Sequence, residues 1–135
     1  MTDPASNSDG SSLTAAAEPY ALQCMEVWGG NDAAVRAVSM PSMDAWVYSR
    51  PMDESAAGGD VHYLSSCISG KITRLLIADV AGHGAGVADV SHRLRGHLRR
   101  FASEFDQRRL MERVNTEFSG VTGGDTFATA LLATC

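Results

Sequence analysis

The sequence predicts an α+β domain in which short strands precede a pair of helices. Three observations carry that expectation. Val61, Tyr63 and Ser65 alternate with His62, Leu64 and Ser66, Ile72 to Ala78 is an apolar run, and Ser69-Gly70 between them is a turn signal. Those two runs read as neighbouring antiparallel strands of a hairpin. Val87, Val90, Leu94, Leu98, Phe101 and Phe105 then recur at spacings of three and four, which is one face of an amphipathic helix. Asp106 is placed to cap a second helix, with Leu110, Met111, Val114 and Phe118 as its apolar face.

In chain order, Met1 to Glu18 is built of Ser, Asp, Asn, Thr, Ala and Gly. Such a stretch cannot bury enough apolar surface to order itself, so residues 1–18 are expected to form a disordered leader and 19–135 the folded part. Tyr20 to Val27 is the first segment with enough apolar mass to pack. Trp28-Gly29-Gly30-Asn31 reads as a turn. Asn31 to Pro41 is open between a short strand and a helical turn. Ala45 to Ser49 is a strand by its β-branched and aromatic content, and Pro51 to Ala57 is a polar loop. Gly120 to Gly124 is expected to end the second helix, and Thr126 to Thr134 to form a buried strand. The chain stops on that apolar strand at Cys135, so a truncated domain is expected.

Size and charge narrow the possibilities. The 135 residues allow one domain at most, with a modest core. A formal charge of −5 argues against non-specific nucleic-acid binding, which needs a positive field. Seven of the eleven basic residues nevertheless fall between Arg93 and Arg113. That cluster reads as a solvated helical face paired with Glu104, Asp106 and Glu112, or as a docking face for a phosphoprotein. Cys24, Cys67 and Cys135 show no metal-type spacing, and an odd number suits a reduced chain. Neither a signal peptide nor a membrane-length apolar run is present in the sequence, so cytoplasmic is the expected location.

The chemistry concentrates between Gly58 and Ala88. Asp60 follows Gly58-Gly59 and opens the first hairpin strand, whereas Asp79 closes the second. Both carboxylates therefore fall at one end of the hairpin. Singly, each would serve as a turn or strand-end aspartate making local hydrogen bonds. Paired beside glycine-rich backbone, they offer a hard divalent cation the oxygen ligands it prefers. Gly82-His83-Gly84-Ala85-Gly86 lies between strand and helix, where nucleotide-phosphate loops also occur. It is not the dinucleotide fingerprint, because Val87 stands where the third glycine belongs, and it lacks the Lys-Ser/Thr of a P-loop. His83 reads either as a general acid near a metal-bound water or as a packing loop residue. His92 and His97 do not share a helix face, and Asp125 reads as a turn aspartate before a strand.

Gly58-Gly59-Asp60, Asp79-Val80-Ala81-Gly82-His83-Gly84 and Phe127-Ala128-Thr129-Ala130 occur in the order seen in PPM-type (protein phosphatase 2C-like) phosphatases. The chain most resembles their bacterial SpoIIE/RsbU-like branch, from about Val27 to Cys135, with Trp28 to Asn31 and Trp46 to Pro51 also in family style. The resemblance implies an α-β-β-α sandwich with a binuclear Mn2+ or Mg2+ site at one end. It also implies hydrolysis of phosphoserine or phosphothreonine on a protein, typically an anti-sigma-factor antagonist in related bacterial systems. Carried over by position, Asp60 and Asp79 are metal-ligand carboxylates and Val80 offers its backbone carbonyl. A metal-activated water then attacks phosphorus in line, without a covalent enzyme intermediate.

The departures are specific. Later family aspartates, in a GD…TDG-like motif and a terminal DD, have no counterpart here, and the residue after Asp79 is valine rather than the glycine of eukaryotic relatives. The expectation is therefore a chain that keeps the fold signature but binds metal weakly and hydrolyses poorly. Two other readings stand beside it: a catalytically inactive phosphatase-like module that binds a partner, and a nucleotide-binding α/β domain built on Gly82 to Gly86.

Overall fold

Seven strands and two helices occur among the residues that the computed structural model describes, 18–52, 55–67, 70–82 and 85–135. In order they are β1 (Tyr20–Ala21), β2 (Val27–Asp32), β3 (Ala34–Met40), β4 (Met43–Ser49), β5 (Ala57–Cys67), β6 (Ile72–Val80), α1 (Ala85–Arg100), α2 (Gln107–Thr122) and β7 (Ala128–Thr134). The strands form two sheets, ordered β1-β3-β4 and β2-β5-β6-β7. The expected leader, apart from Glu18, lies outside the described residues, as do the turn residue Ser69 and the loop residues His83 and Gly84.

The expected hairpin is β5 and β6, antiparallel from Cys67↔Ile72 to Asp60↔Asp79. Gly70 carries the turn at φ 79°, a left-handed conformation that suits a residue without Cβ. Alternation then divides the side chains between two cores. Val61, Tyr63, Leu76, Ala78 and Val80 pack against Leu94, Leu98 and Phe101 and against Leu110, Val114 and Phe118 of α2. Leu64 and Leu75 instead point toward Leu22, Val38, Met40 and Ala45, which closes a smaller core between the sheets. The fold is thus α+β, with two sheets and a helical layer on the outer face of the second. Val35, Trp46 and Tyr48, register neighbours on β3 and β4, are exposed on the outer face of the first.

Several sequence expectations need correction. Trp28 to Asn31 is not a turn but most of β2, paired with β5 from Val27↔Ser65 to Gly30↔His62. Its glycines permit close backbone approach in a strand, which the turn reading overlooked. The open segment Asn31 to Pro41 resolves chiefly into strand β3, where Val35 and Val38 favour extended backbone. Strand β5 begins at Ala57, so Asp60 lies within it rather than at its start. Helix α1 ends at Arg100, and Phe105 is 63% exposed in the connection to α2 instead of continuing the apolar stripe. Thr126 to Thr134 does supply a strand, but β7 is an edge strand, and Leu131 is 62% exposed because no element covers that face among the described residues.

The second helix starts as expected. Asp106 accepts from the backbone N–H groups of Arg108 (2.9 Å) and Arg109 (3.2 Å), and α2 closes on Gly123 at φ 64°. The arginine cluster is a solvated face: Arg113 meets Glu104 at 3.4 Å and Arg108 meets Glu112 at 2.6 Å. Exposed pairs of this kind contribute little each. The cap has a pH signature. The Arg109 N–H, then that of Arg108, holds the Asp106 carboxyl below its ordinary 3.8. A lowered folded pKa gives stability that is complete above the ordinary value and is lost as pH falls through the folded one. Asp106→Ala should therefore lower the urea midpoint at neutral pH, and its gap from the native chain should narrow below pH 3.8. A gap independent of pH would refute the cap's role.

Candidate metal centre

Asp60 and Asp79 are direct register partners across β5 and β6. Opposed residues of an antiparallel pair point to the same face, with Cβ atoms about 5 Å apart. That face is the inter-sheet side, which also carries His62 opposite Ile77. Thr129 of β7 extends the row, paired with Asp79 on its other flank. Both carboxylates are exposed at the open end of the sandwich. The hairpin thus brings together the two aspartates that the sequence singled out.

The backbone around Asp60 is irregular for a visible reason. Register between β2 and β5 runs to Gly30↔His62 and resumes at Asp32↔Ala57, so Asn31 alone faces Gly58, Gly59, Asp60 and Val61. Such a bulge re-aims a side chain at a sheet's rim. Gly59 leaves little room in this bulge: a Cβ there would lie 3.1 Å from both the Val80 carbonyl oxygen and Val87 Cγ1, and 3.7 Å from Asp79 Oδ1. Its missing side chain leaves the Val80 carbonyl and the Asp79 carboxylate close beside the Asp60 backbone. The Val80 side chain itself is buried in the helix-side core.

Two clefts, of about 660 and about 710 Å³, meet at the aspartate pair. Asp60, Asp79, Ser49 and Arg50 line both; His62 and Thr129 line the first, and Asp89 of α1 the second. Arg50 is exposed and shares the lining of both clefts with the two aspartates. His62 is half-buried against Trp28, with ring centroids 5.3 Å apart, and burial, then the Arg95 charge, pushes its pKa below the ordinary value.

The donor set suits a hard divalent cation. Two opposed carboxylates repel each other unless a cation lies between them, and the adjacent Val80 carbonyl adds a third oxygen. Mg2+ in particular accepts one or two carboxylates and keeps several waters. Among the described residues, no group of three or more His, Cys, Asp or Glu side chains is placed to hold a metal. The fit is therefore to two carboxylates and a carbonyl, with the remaining coordination left to water or substrate oxygens. His83, the candidate general acid, falls outside the described residues. His92 and His97 lie on α1 and are not among the residues lining either cleft.

Sequence reasoning missed Arg50, His62, Thr129, Asn31 and Ser91. Alternation along β5 could have found His62, two residues from Asp60 on the same face. The others depend on strand order and register, which no local pattern encodes.

Residues 69–135 match the family model described as Stage II sporulation protein E (SpoIIE). That span includes Asp79, Val80, both helices and β7. No significant match is found among curated proteins or among solved structures. No helix among the described residues is long and apolar enough to cross a membrane.

Proposed function

We propose that the chain, whose residues 69–135 match the SpoIIE family model, is a metal-dependent protein serine/threonine phosphatase of bacterial signalling. The observation that carries the reading is the pairing of Asp60 with Asp79 on one face at the mouth of two clefts. Asp60, Asp79 and the Val80 carbonyl would hold Mn2+ or Mg2+. Such ions, when bound, lower the pKa of water and neutralise charge on phosphoryl oxygens.

The protein's own groups then have separable tasks. The two carboxylates fix the cations to a rigid hairpin. Arg50 adds a donor fork at the mouth of both clefts, a geometry matched to phosphate oxygens. Thr129 offers a hydroxyl on the same row as the carboxylates. The open clefts, accessible from one end of the sandwich, suit a phosphorylated side chain presented by a protein. The substrate is phosphoserine or phosphothreonine on such a protein, and an anti-sigma-factor antagonist is the partner that the family resemblance favours.

Phosphate release from a phosphoserine protein and from an aryl phosphate, each with and without Mn2+, tests this reading. Activity should require the metal, and Asp79→Asn should lower it by about 100-fold or more, since metal stabilisation of the transition state is worth several kcal/mol. Metal-independent release, or equal rates in the variant, would refute it. A catalytically inactive partner-binding module is favoured by one observation, the lack of a third metal-ligating side chain at the pair among the described residues. Absence of turnover together with retained Mn2+ binding would select that alternative.

A further inference from the structure

Two buried polar side chains converge on the segment that carries Asp60. Asn31 of β2 is 3% exposed and Ser91 of α1 is fully buried. The Asn31 Nδ2 donates to the Gly58 carbonyl at 3.1 Å and to the Ala88 carbonyl of α1 at 3.0 Å. Both of its N–H donors are thereby used. The Ser91 hydroxyl lies 3.0 Å from the Gly59 carbonyl and 2.9 Å from that of Val87, sharing one proton between them. The Val87 contact is the ordinary back-bond of a helical serine. The Gly59 contact is not, since it leaves the helix for the bulge.

We infer that Asn31 and Ser91 are positioning residues that set the backbone of Gly58-Gly59-Asp60 against the first turns of α1 and so aim the Asp60 carboxylate at its partner Asp79. This rests on the metal-centre reading above. Burying an amide and a hydroxyl is costly unless each is hydrogen-bonded, and apolar residues of similar size would fill these sites without that requirement. Here both are directed to consecutive carbonyls immediately before Asp60. Asn31 occupies the gap where four residues of β5 face one of β2, so its amide supplies bonding that the interrupted strand register does not. The absence of a Cβ on Gly59 lets Val87 close in from the same helix. Any displacement of the start of α1 is therefore transmitted to Asp60 through side-chain bonds as well as through packing.

The test uses Ser91→Ala and Asn31→Ala, with Asp60→Asn beside them. Alanine is the best helix former, so Ser91→Ala keeps α1 even where Asn31→Ala impairs folding. In the metal-free chain, amide hydrogen exchange over Gly58 to Val61 should accelerate at least about tenfold in Ser91→Ala, while exchange over β3 and β4 stays as in the native chain. In the same variant the Kd for Mn2+ should rise about tenfold, the usual effect of removing a group that orients a metal ligand. A purely structural serine would instead accelerate exchange everywhere and leave the Kd of the folded protein unchanged. Native exchange at Gly58 to Val61 together with a native Kd would overturn the inference. Mn2+ binding that survives Asp60→Asn would remove the metal-centre reading instead, and the exchange result would then decide the positioning role by itself.

Discussion

Gly29→Ala should cost at least about 3 kcal/mol, a large share of the roughly 5–15 kcal/mol that holds a domain of this kind together. Gly29 lies in β2 at φ 126°, a conformation that an L side chain rarely adopts. An added Cβ would overlap the His62 carbonyl oxygen and lie 2.9 Å from its carbonyl carbon and 3.0 Å from Tyr63 Cα. All three atoms are backbone of β5, so no side chain can swing away to make room. Relief requires β2 to separate from β5, and β5 is the strand that carries Asp60. Urea denaturation followed by tryptophan fluorescence measures the effect, since neighbouring Trp28 packs tilted against His62 with ring centroids 5.3 Å apart. Gly86→Ala is the control: nothing lies within 4 Å of its Cβ position, and alanine favours the helix there. Equal losses at the two positions would refute the local explanation.

Arg74→Leu is expected to destabilise the fold by about 3–5 kcal/mol, since several buried acceptors would lose their donor at roughly 1–3 kcal/mol each. Arg74 is fully buried on the helix-facing side of β6, between Ser65 and Thr134 in register. Its Nη1 donates to the Ala102 carbonyl at 2.9 Å, and its Nη2 to the carbonyls of Phe105, at 2.9 Å, and of Glu104. These carbonyls belong to the connection between α1 and α2, just past the C-terminal end of α1, where a cation is also favoured by the helix dipole. Leucine would fill part of the volume but leave three carbonyls without their donor. The loss should appear as a lower urea midpoint and as faster hydrogen exchange between Ala102 and Asp106. A midpoint within experimental error of the native chain would show that water replaces the guanidinium at no cost.

The parts of this fold that were legible in the sequence are those set by local periodicity. Alternation in Val61 to Ser66 and the apolar run from Ile72 were enough to pair β5 with β6, and with them Asp60 with Asp79. The three-and-four spacing from Val87 to Phe101 marked α1, and Asp106 marked the start of α2. What misled was chemistry with two possible uses. Gly29-Gly30 usually punctuates a turn, yet here it allows one strand to press against another. Phe105 continues the helical spacing in sequence, but the chain has already left the helix to meet Arg74. The apolar composition of β7 suggests burial, whereas its place at the sheet edge leaves Leu131 open. The residues that organise the site were not legible, because their bonds span 27 to 57 positions: Asn31 to Gly58 and Ala88, and Ser91 to Gly59. Arg74 reads in sequence as a charge in an apolar strand, and only the tertiary fold supplies its three acceptors.

Calorimetric titration of the chain with Mn2+, alongside Asp60→Asn and Asp79→Asn, addresses the metal centre most directly. Two opposed carboxylates with an adjacent carbonyl should give saturable binding in the native chain that is lost in both variants, because each removes one of the two carboxylates assigned to the ion. Binding that is absent from the native chain, or that persists unchanged in either variant, would contradict the assignment of Asp60 and Asp79 as the ligands.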